Sequence, residues 1–435
     1  MVRFAASPTD DMHIEELRMA LLSYLVAQKQ QDSFLVRIDD LDTTNTVEGK
    51  DTEIMEILRK FALKHDMVHH QSEYLHMYHM LALQLLKEKK AFICTCPTNK
   101  NFTNKLSLPK TSKDQGCCGE CIEADPVQIE EIKASKTPFV VRLKKPDRKL
   151  TVKDLILKEI SILPQTDESL DDTLVILDEA GMPTHTFASA CDDMLNGTSM
   201  VINTAESLEN TQKEILIKEQ LGYPEACTYA HVPSLCNLQD KKEANTLLRL
   251  LQEGFIPDAI INYLVLLSYR EAPEEIFTLP EALDWFDPFK LSKTASKFNI
   301  DTLRFINKKH LQRMEDKKLS TLFGFADADI GTLAKLYLNE ACTINELEMR
   351  IKSIFGPKIF DGQYANEIET LRRIIEDAPM IDGYEAFVDY LVTRSGLNKE
   401  AIKMPLRLLL TGAKQGPKLS EIYPYLKPYL LEVIT

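Results

Sequence analysis

Of nine cysteines, five crowd into one short stretch: Cys94, Cys96, Cys117, Cys118 and Cys121. Cys94-Thr95-Cys96 is one close pair and Cys118-Gly119-Glu120-Cys121 another, with a polar loop between them. Two such pairs on short, bendable backbone suit tetrahedral zinc, which takes four soft thiolate or imidazole ligands. Gly116 and Gly119 ease the turn, and Cys117 competes with Cys118 for one position. A reducing compartment disfavours disulfides as the use of this cluster. Cys191, Cys227, Cys236 and Cys342 are scattered and read as core residues.

The second constellation is near the N-terminus. Ser7-Pro8-Thr9-Asp10 is turn chemistry. It is followed by His13-Ile14-Glu15-Glu16 and then by Leu17, Leu21 and Leu25, apolar at steps of three and four. Met1 to Ala6 reads as a short apolar strand start and Phe34 to Ile38 as a second buried strand. In such a strand–loop–helix–strand unit the first loop lies at the carboxyl edge of a parallel sheet, where ligands bind. Glu15 and Glu16 in a first helical turn also complement the helix dipole.

These sites need a large frame. A chain of 435 residues is too long for one core and suggests two to four domains. Hydrophobic content of 44% and charged content of 27% are those of an ordinary globular protein. No apolar run approaches membrane-spanning length, and no basic segment precedes an apolar one at the N-terminus. A cytoplasmic protein is expected. The net charge of −14 does not suggest a nucleic-acid binder, yet a local basic face is compatible with it. Lys87 to Lys90, Lys144-Lys145 with Arg148-Lys149, and Lys308-Lys309-His310 are the candidate runs.

Periodicity divides the chain. A helix is expected through Ile54, Ile57, Leu58 and Phe61. Strands are expected at Phe139–Leu143, Leu174–Leu177 and Met200–Ile202, and a helix at Glu209–Leu221 closed by Gly222. The pattern loosens between about Ser72 and Asp178, as though a domain were inserted into the nucleotide fold. Beyond Lys241 the spacing is helical, as in Ile330, Leu333, Leu336 and Tyr337, and again in Leu406, Leu409 and Leu410.

Arg3-Phe4-Ala5-Ala6-Ser7-Pro8-Thr9, His13-Ile14 and Arg37-Ile38-Asp39-Asp40-Leu41-Asp42 resemble the opening of bacterial glutamyl-tRNA synthetase, a class I aminoacyl-tRNA synthetase. The similarity runs on through Tyr74 to Cys96, Pro183-Thr184, Cys191-Asp192-Asp193 and Asn210-Thr211-Gln212. It continues in Gly254-Phe255-Ile256-Pro257, Asn262-Tyr263-Leu264, Pro405-Leu406-Arg407 and Thr411-Gly412. The resemblance implies an α/β fold: a Rossmann-type nucleotide fold split by an inserted α+β zinc-bearing domain, then an all-α anticodon-binding region. The implied boundaries are 1–71 and 179–240 for the catalytic halves and 72–178 for the acceptor-end insertion. A helical stem-contact domain takes 241–313 and the anticodon-binding region 314–435. Expected partners are tRNA, glutamate, ATP and Mg2+, with Zn2+ structural and the chain a monomer. The zinc ligands would be Cys94, Cys96, Cys118 and Cys121, although the family's second pair is often cysteine-x-histidine.

The same resemblance exposes departures. His13 is the family's triphosphate-facing histidine, but Glu15 stands where a glycine lets adenine lie on bare backbone, and Asp10 replaces another glycine. The family's lysine-rich loop neutralises charge developing on pyrophosphate. Its counterpart, about Asn237 to Lys241, lacks the pattern and is shortened, with Asp240 near the key position and Lys241 or Lys242 as the substituting cation. Lys290-Leu291-Ser292-Lys293-Thr294 imitates that loop but lies after the Gly-Phe-Ile-Pro segment rather than before it. Family arginines grip the glutamate carboxylates bidentately; Arg3, Ser7, Asp39 and His185 remain as substrate-site candidates, while Asn203 replaces an arginine. An active glutamate–tRNA ligase and a catalytically impaired paralogue that binds tRNA or a protein partner are the two functions in contention, and the departures favour the second.

Overall fold

The computed structural model describes residues 1–96, 120–123, 134, 137–145, 148–162, 174–223, 227–236, 246–360 and 362–434. Two compact units are present. The first comprises Met1–Leu247, Leu264–Glu275 and Leu279–Phe298; the second comprises Leu248–Tyr263, Ile276–Thr278 and Asn299–Thr435.

In the first unit the chain runs β1 (Val2–Ala6), α1 (Ile14–Gln30), β2 (Phe34–Ile38), α2 (Lys50–Lys60), β3 (Met67–His70), α3 (Leu75–Lys87), β4 (Ala91–Cys94) and β5 (Val140–Leu143). It continues β6 (Leu150–Asp154), β7 (Lys158–Ile162), β8 (Leu174–Leu177), α4 (His185–Leu195), β9 (Met200–Thr204), α5 (Leu208–Gln220) and β10 (Thr228–Val232). Seven strands form one sheet in the order β3-β2-β1-β9-β10-β6-β7. All neighbours are parallel except β6 and β7. Strand order reverses between β1 and β9, so the crevice at their carboxyl ends is the topological switch point. Ser7 and Thr204 mark it.

The buried runs explain why these strands are central. Every residue of β2 is buried, and β1 is buried but for Ala5. On α1 the expected stripe of Ile14, Leu17, Leu21 and Leu25 is buried, but so are Arg18, Leu22 and Val26. This helix is covered on more than one face.

Strands β3, β4, β6, β7 and β10 were not among those expected. Leu150-Thr151-Val152 and Ile160-Ser161-Ile162 do alternate apolar with polar, the mark of a half-buried strand, and burial follows it. The β6–β7 hairpin, which lies within residues 72–178, joins the large sheet through Asp154 beside Tyr229 of β10. Strands β4, β5 and β8 make a separate antiparallel sheet.

In the second unit the elements from Ile300 to Val433 are helical. Motif residues organise it. Asn262 Oδ1 accepts from Phe277 N at 3.0 Å and lies 2.8 Å from His310 Nε2. Gly254, at φ +87°, leaves so little room that a Cβ would lie 2.7 Å from Asn345 N. No helix of the described residues is long and apolar enough to cross a membrane.

Candidate functional site

The loop after β1 carries Ser7, Pro8 and Thr9 over the switch point. Ser7 is exposed. Pro8 O accepts from Val47 N at 2.9 Å, and Ala6 O from Asp39 N at 2.9 Å, so the loops after β1 and β2 are bound side by side. His13 opens α1; its backbone N–H donates to Glu16 Oε2 at 2.7 Å. Thus Glu16 serves the helix terminus, as its first-turn position suggests.

Glu15 does something different. Its Oε1 accepts from Arg18 Nη1 at 2.7 Å, and its Oε2 accepts from Leu235 N at 2.9 Å. Arg18 is itself only 2% exposed. It donates to Pro233 O at 2.9 Å and to Ser268 Oγ at 2.7 Å. The carboxylate therefore bridges from the first turn of α1 to the segment leaving β10. Because Arg18 neutralises it, its effect at this edge is chiefly that of volume and of a fixed bridge, not of bare negative charge.

Behind the loops lies a buried ionic cluster. Arg3 Nε donates to Asp193 Oδ1 at 2.9 Å and its Nη2 to Asp193 Oδ2 at 3.2 Å. Glu214 Oε2 lies 4.0 Å from the same guanidinium. Lys218 Nζ donates to Asp193 Oδ2 at 2.9 Å and to Tyr229 Oη at 3.0 Å. Alongside, Arg37 donates to Asp39 at 2.6 and 3.1 Å and to Ser189 Oγ at 2.8 Å. Asp192 draws in Gln71 at 2.7 Å, Tyr78 at 2.7 Å and His69 at 3.0 Å.

Burial opposes every charge here, and the partners decide the outcome. Burial raises the carboxyl pKa of Asp193, but Arg3 and Lys218 outweigh it and hold the group far below the usual carboxylate range. For Asp39, Arg37 and the His185 hydrogen bond likewise overcome desolvation. Glu214 is the exception: burial pushes its pKa up despite Arg3, and its Oε2 has no hydrogen-bond partner. Arg3, 3% exposed, is thus bidentately occupied by the protein's own carboxylate.

At the mouth, His185 Nε2 lies 3.0 Å from Asp39 Oδ2, with the imidazole half exposed. The structure brings His185 and Asp39 together and sets Ser7 on the neighbouring loop. Asn203, half-buried near the end of β9, is in register with His231 of β10. Lys241, Lys242 and Asp240 lie outside the described residues. Lys290 sits in a short 3-10 turn, ion-paired to Glu271 at 3.2 Å; Ser292 beside it is buried and tied to Ser268 O at 2.8 Å.

Sequence reasoning did not nominate Arg18, Arg37, Asp192, Glu214 or Lys218 for the site. A signal existed for Asp192 and Asp193: two acids in a helix among Phe187, Ala188, Ala190 and Cys191 can only be buried in company.

The thiols of Cys94, Cys96 and Cys121 lie within 4.8 Å of one another, with Cys96 Sγ 3.7 Å from Cys121 Sγ. Zinc–sulfur bonds of about 2.3 Å in a tetrahedron place sulfurs about 3.8 Å apart, so the set fits zinc. Cys117 and Cys118 lie outside the described residues.

Comparisons with known proteins agree with this architecture. Residues 1–305 match the family model of class I tRNA synthetases (E and Q), catalytic domain. A Sulfurovum protein named glutamate–tRNA ligase 2 is 50% identical over the whole of both chains. A Sulfurimonas denitrificans protein of the same name is 38% identical, again over both whole chains. Among solved structures, a glutamate tRNA ligase from Elizabethkingia meningosepticum, crystallised with its amino acid, superposes with a TM-score of 0.79 at 23% identity, covering 99% of this chain and 97% of that one. With its switch-point crevice and full-length relatives, the chain belongs to the glutamyl-tRNA synthetase family of class I aminoacyl-tRNA synthetases.

Proposed function

We propose that this protein is a tRNA-binding member of the family in which ATP-dependent activation of glutamate is impaired. The observation that carries the reading is the Glu15 bridge. Where the family's glycine offers bare backbone to adenine, a side chain spans from α1 to Leu235 N, and Arg18 fixes it there. A nucleotide entering that gap must displace a charge-assisted pair, which is costlier to leave unmade than a neutral hydrogen bond. The replaced lysine loop and Asn203 act in the same direction, and Arg3 is already engaged by Asp193. The residues at the ATP position do not fit the nucleotide.

Zinc does fit its three described thiols, with Cys118 as the fourth ligand. Its part would be structural, pinning Cys121 against the strand that ends at Cys94.

A second reading, a working glutamate–tRNA ligase, is favoured by the names of the full-length relatives. Glutamate-dependent ATP–pyrophosphate exchange separates the two. Exchange near background alongside tRNA binding in a gel-shift titration supports the impaired reading; exchange at an enzyme-like rate overturns it.

A further inference from the structure

In the second unit, Lys358 follows the helix Ile344–Phe355 and is half-buried. Its Nζ donates to Ile354 O at 2.6 Å and to Val433 O, so it ties together the ends of the helices Ile344–Phe355 and Leu430–Val433. Among the described residues these carbonyls are its partners, and no carboxylate pairs with it. The same side chain lines a cleft of about 370 Å³ with Ser353, Phe360, Tyr364 and Lys414, and none of the described residues lining that cleft is acidic. An ammonium group carries three N–H donors. A neutral amine carries two, which the two carbonyls match, and its lone pair is then left for chemistry.

The surroundings favour that neutral form. Helix-end carbonyls attract a cation, yet burial, and then the Arg372 guanidinium, bring the Lys358 pKa down from 10.5 to about 8. Desolvation and a neighbouring cation are the two means by which a lysine becomes a nucleophile near neutral pH. Each pKa unit is tenfold in free amine, so at pH 7 Lys358 holds on the order of a hundredfold more of it than an ordinary lysine. Lys414, exposed and without a partner among the described residues, adds a second cationic side chain to the same cleft. A reactive amine and an unpaired cation thus share one small cleft.

We propose that Lys358 is a covalent acylation site whose donor is a small acyl phosphate, held through its phosphate by Lys414. The Nζ lone pair attacks the carbonyl carbon of the donor. The bond from that carbon to the phosphate oxygen breaks, and the oxygen leaves with the electron pair as inorganic phosphate. The nitrogen gives one proton to solvent. The product is an amide with a single N–H, which keeps one carbonyl partner where the amine had two. The cleft is at the small end of the range for small-molecule sites, which suits a compact donor. This site is independent of the reading of the nucleotide crevice.

The test treats the intact protein with acetyl phosphate and follows acetylation of Lys358 and Lys403 by mass spectrometry. Lys403 is the comparison: it is exposed on the helix Lys399–Thr411 and has no partner among the described residues. At pH 7 Lys358 is expected to react at least about tenfold faster than Lys403, and its rate to level off above about pH 8. K414Q is expected to slow the reaction of Lys358 with acetyl phosphate at least about threefold. The same variant is expected to leave the reaction with acetic anhydride, which carries no phosphate, unchanged. Lys358 labelled no faster than Lys403 overturns the site. No slowing in K414Q, or equal slowing with both reagents, overturns Lys414 as the phosphate's holder.

Discussion

The guanidinium of Arg3 and the carboxylate of Asp193 form a bidentate pair, 2.9 and 3.2 Å apart, with both side chains almost wholly buried. Residues 190 positions apart in the chain are thereby joined across β1 and α4. Lys218 on α5 shares the same carboxylate, so one aspartate anchors three elements beneath the crevice. Replacing Asp193 with Ala strands two buried cations. We expect a loss of about 3–5 kcal/mol of stability, read by urea denaturation, with Asp193→Asn recovering little of it because it restores shape but not charge.

Acid should weaken the protein for a stated reason. Asp39 and Asp193 have folded pKa values below their ordinary value of 3.8, burial being outweighed by Arg37 for the first and by Arg3 and Lys218 for the second. Their stabilisation is fully present above that ordinary value and is lost as pH falls below about 4, where the unfolded chain takes up the protons first. Urea midpoints at pH 7 and pH 3 should differ strongly, and Asp39→Asn should flatten the difference.

Glu214 has the opposite sign. Burial raises its folded pKa above the ordinary 4.5, so the ionised folded form carries a penalty that grows as pH rises past that value. Glu214→Gln is expected to raise the denaturation midpoint at pH 7 and to leave it unchanged at pH 4. A midpoint that drops at pH 7 would show that the charge is needed beside Arg3.

Glu15→Gly removes the bridge between α1 and Leu235 and leaves Arg18 with its carbonyl and hydroxyl partners only. A cost of about 1–3 kcal/mol is expected from the unmatched, nearly buried cation. Pyrophosphate exchange is expected to stay near background in this variant, since the lysine loop and Asn203 are unchanged.

Metal analysis should return one zinc per chain. Chelation should expose Cys94, Cys96 and Cys121 to a thiol reagent together, and Cys121→Ser should lower zinc affinity without altering the large sheet, which none of these residues joins.

Gly331 tests the second unit independently. A Cβ there would lie 1.9 Å from Asp316 O, between the helices Asp316–Leu322 and Ala328–Leu336. Gly331→Ala must separate two backbones and is expected to cost about 3 kcal/mol.

Local pattern alone determined much of this protein. The strand at Phe34–Ile38, the α1 stripe, the helix beginning near Glu209 and the clustered cysteines are all set by short-range spacing, which needs no knowledge of the rest of the chain. Motif order likewise identified the family. Tertiary structure decided which charges meet. Glu15 reads as a helix-start acid in sequence, since its partner amide belongs to Leu235 beyond the far end of β10. Arg3 reads as a free substrate cation until α4 and α5 bring Asp193, Glu214 and Lys218 to it. Periodicity reports which face of an element is covered; it carries no information about what covers it, and buried charge takes its meaning from that neighbour.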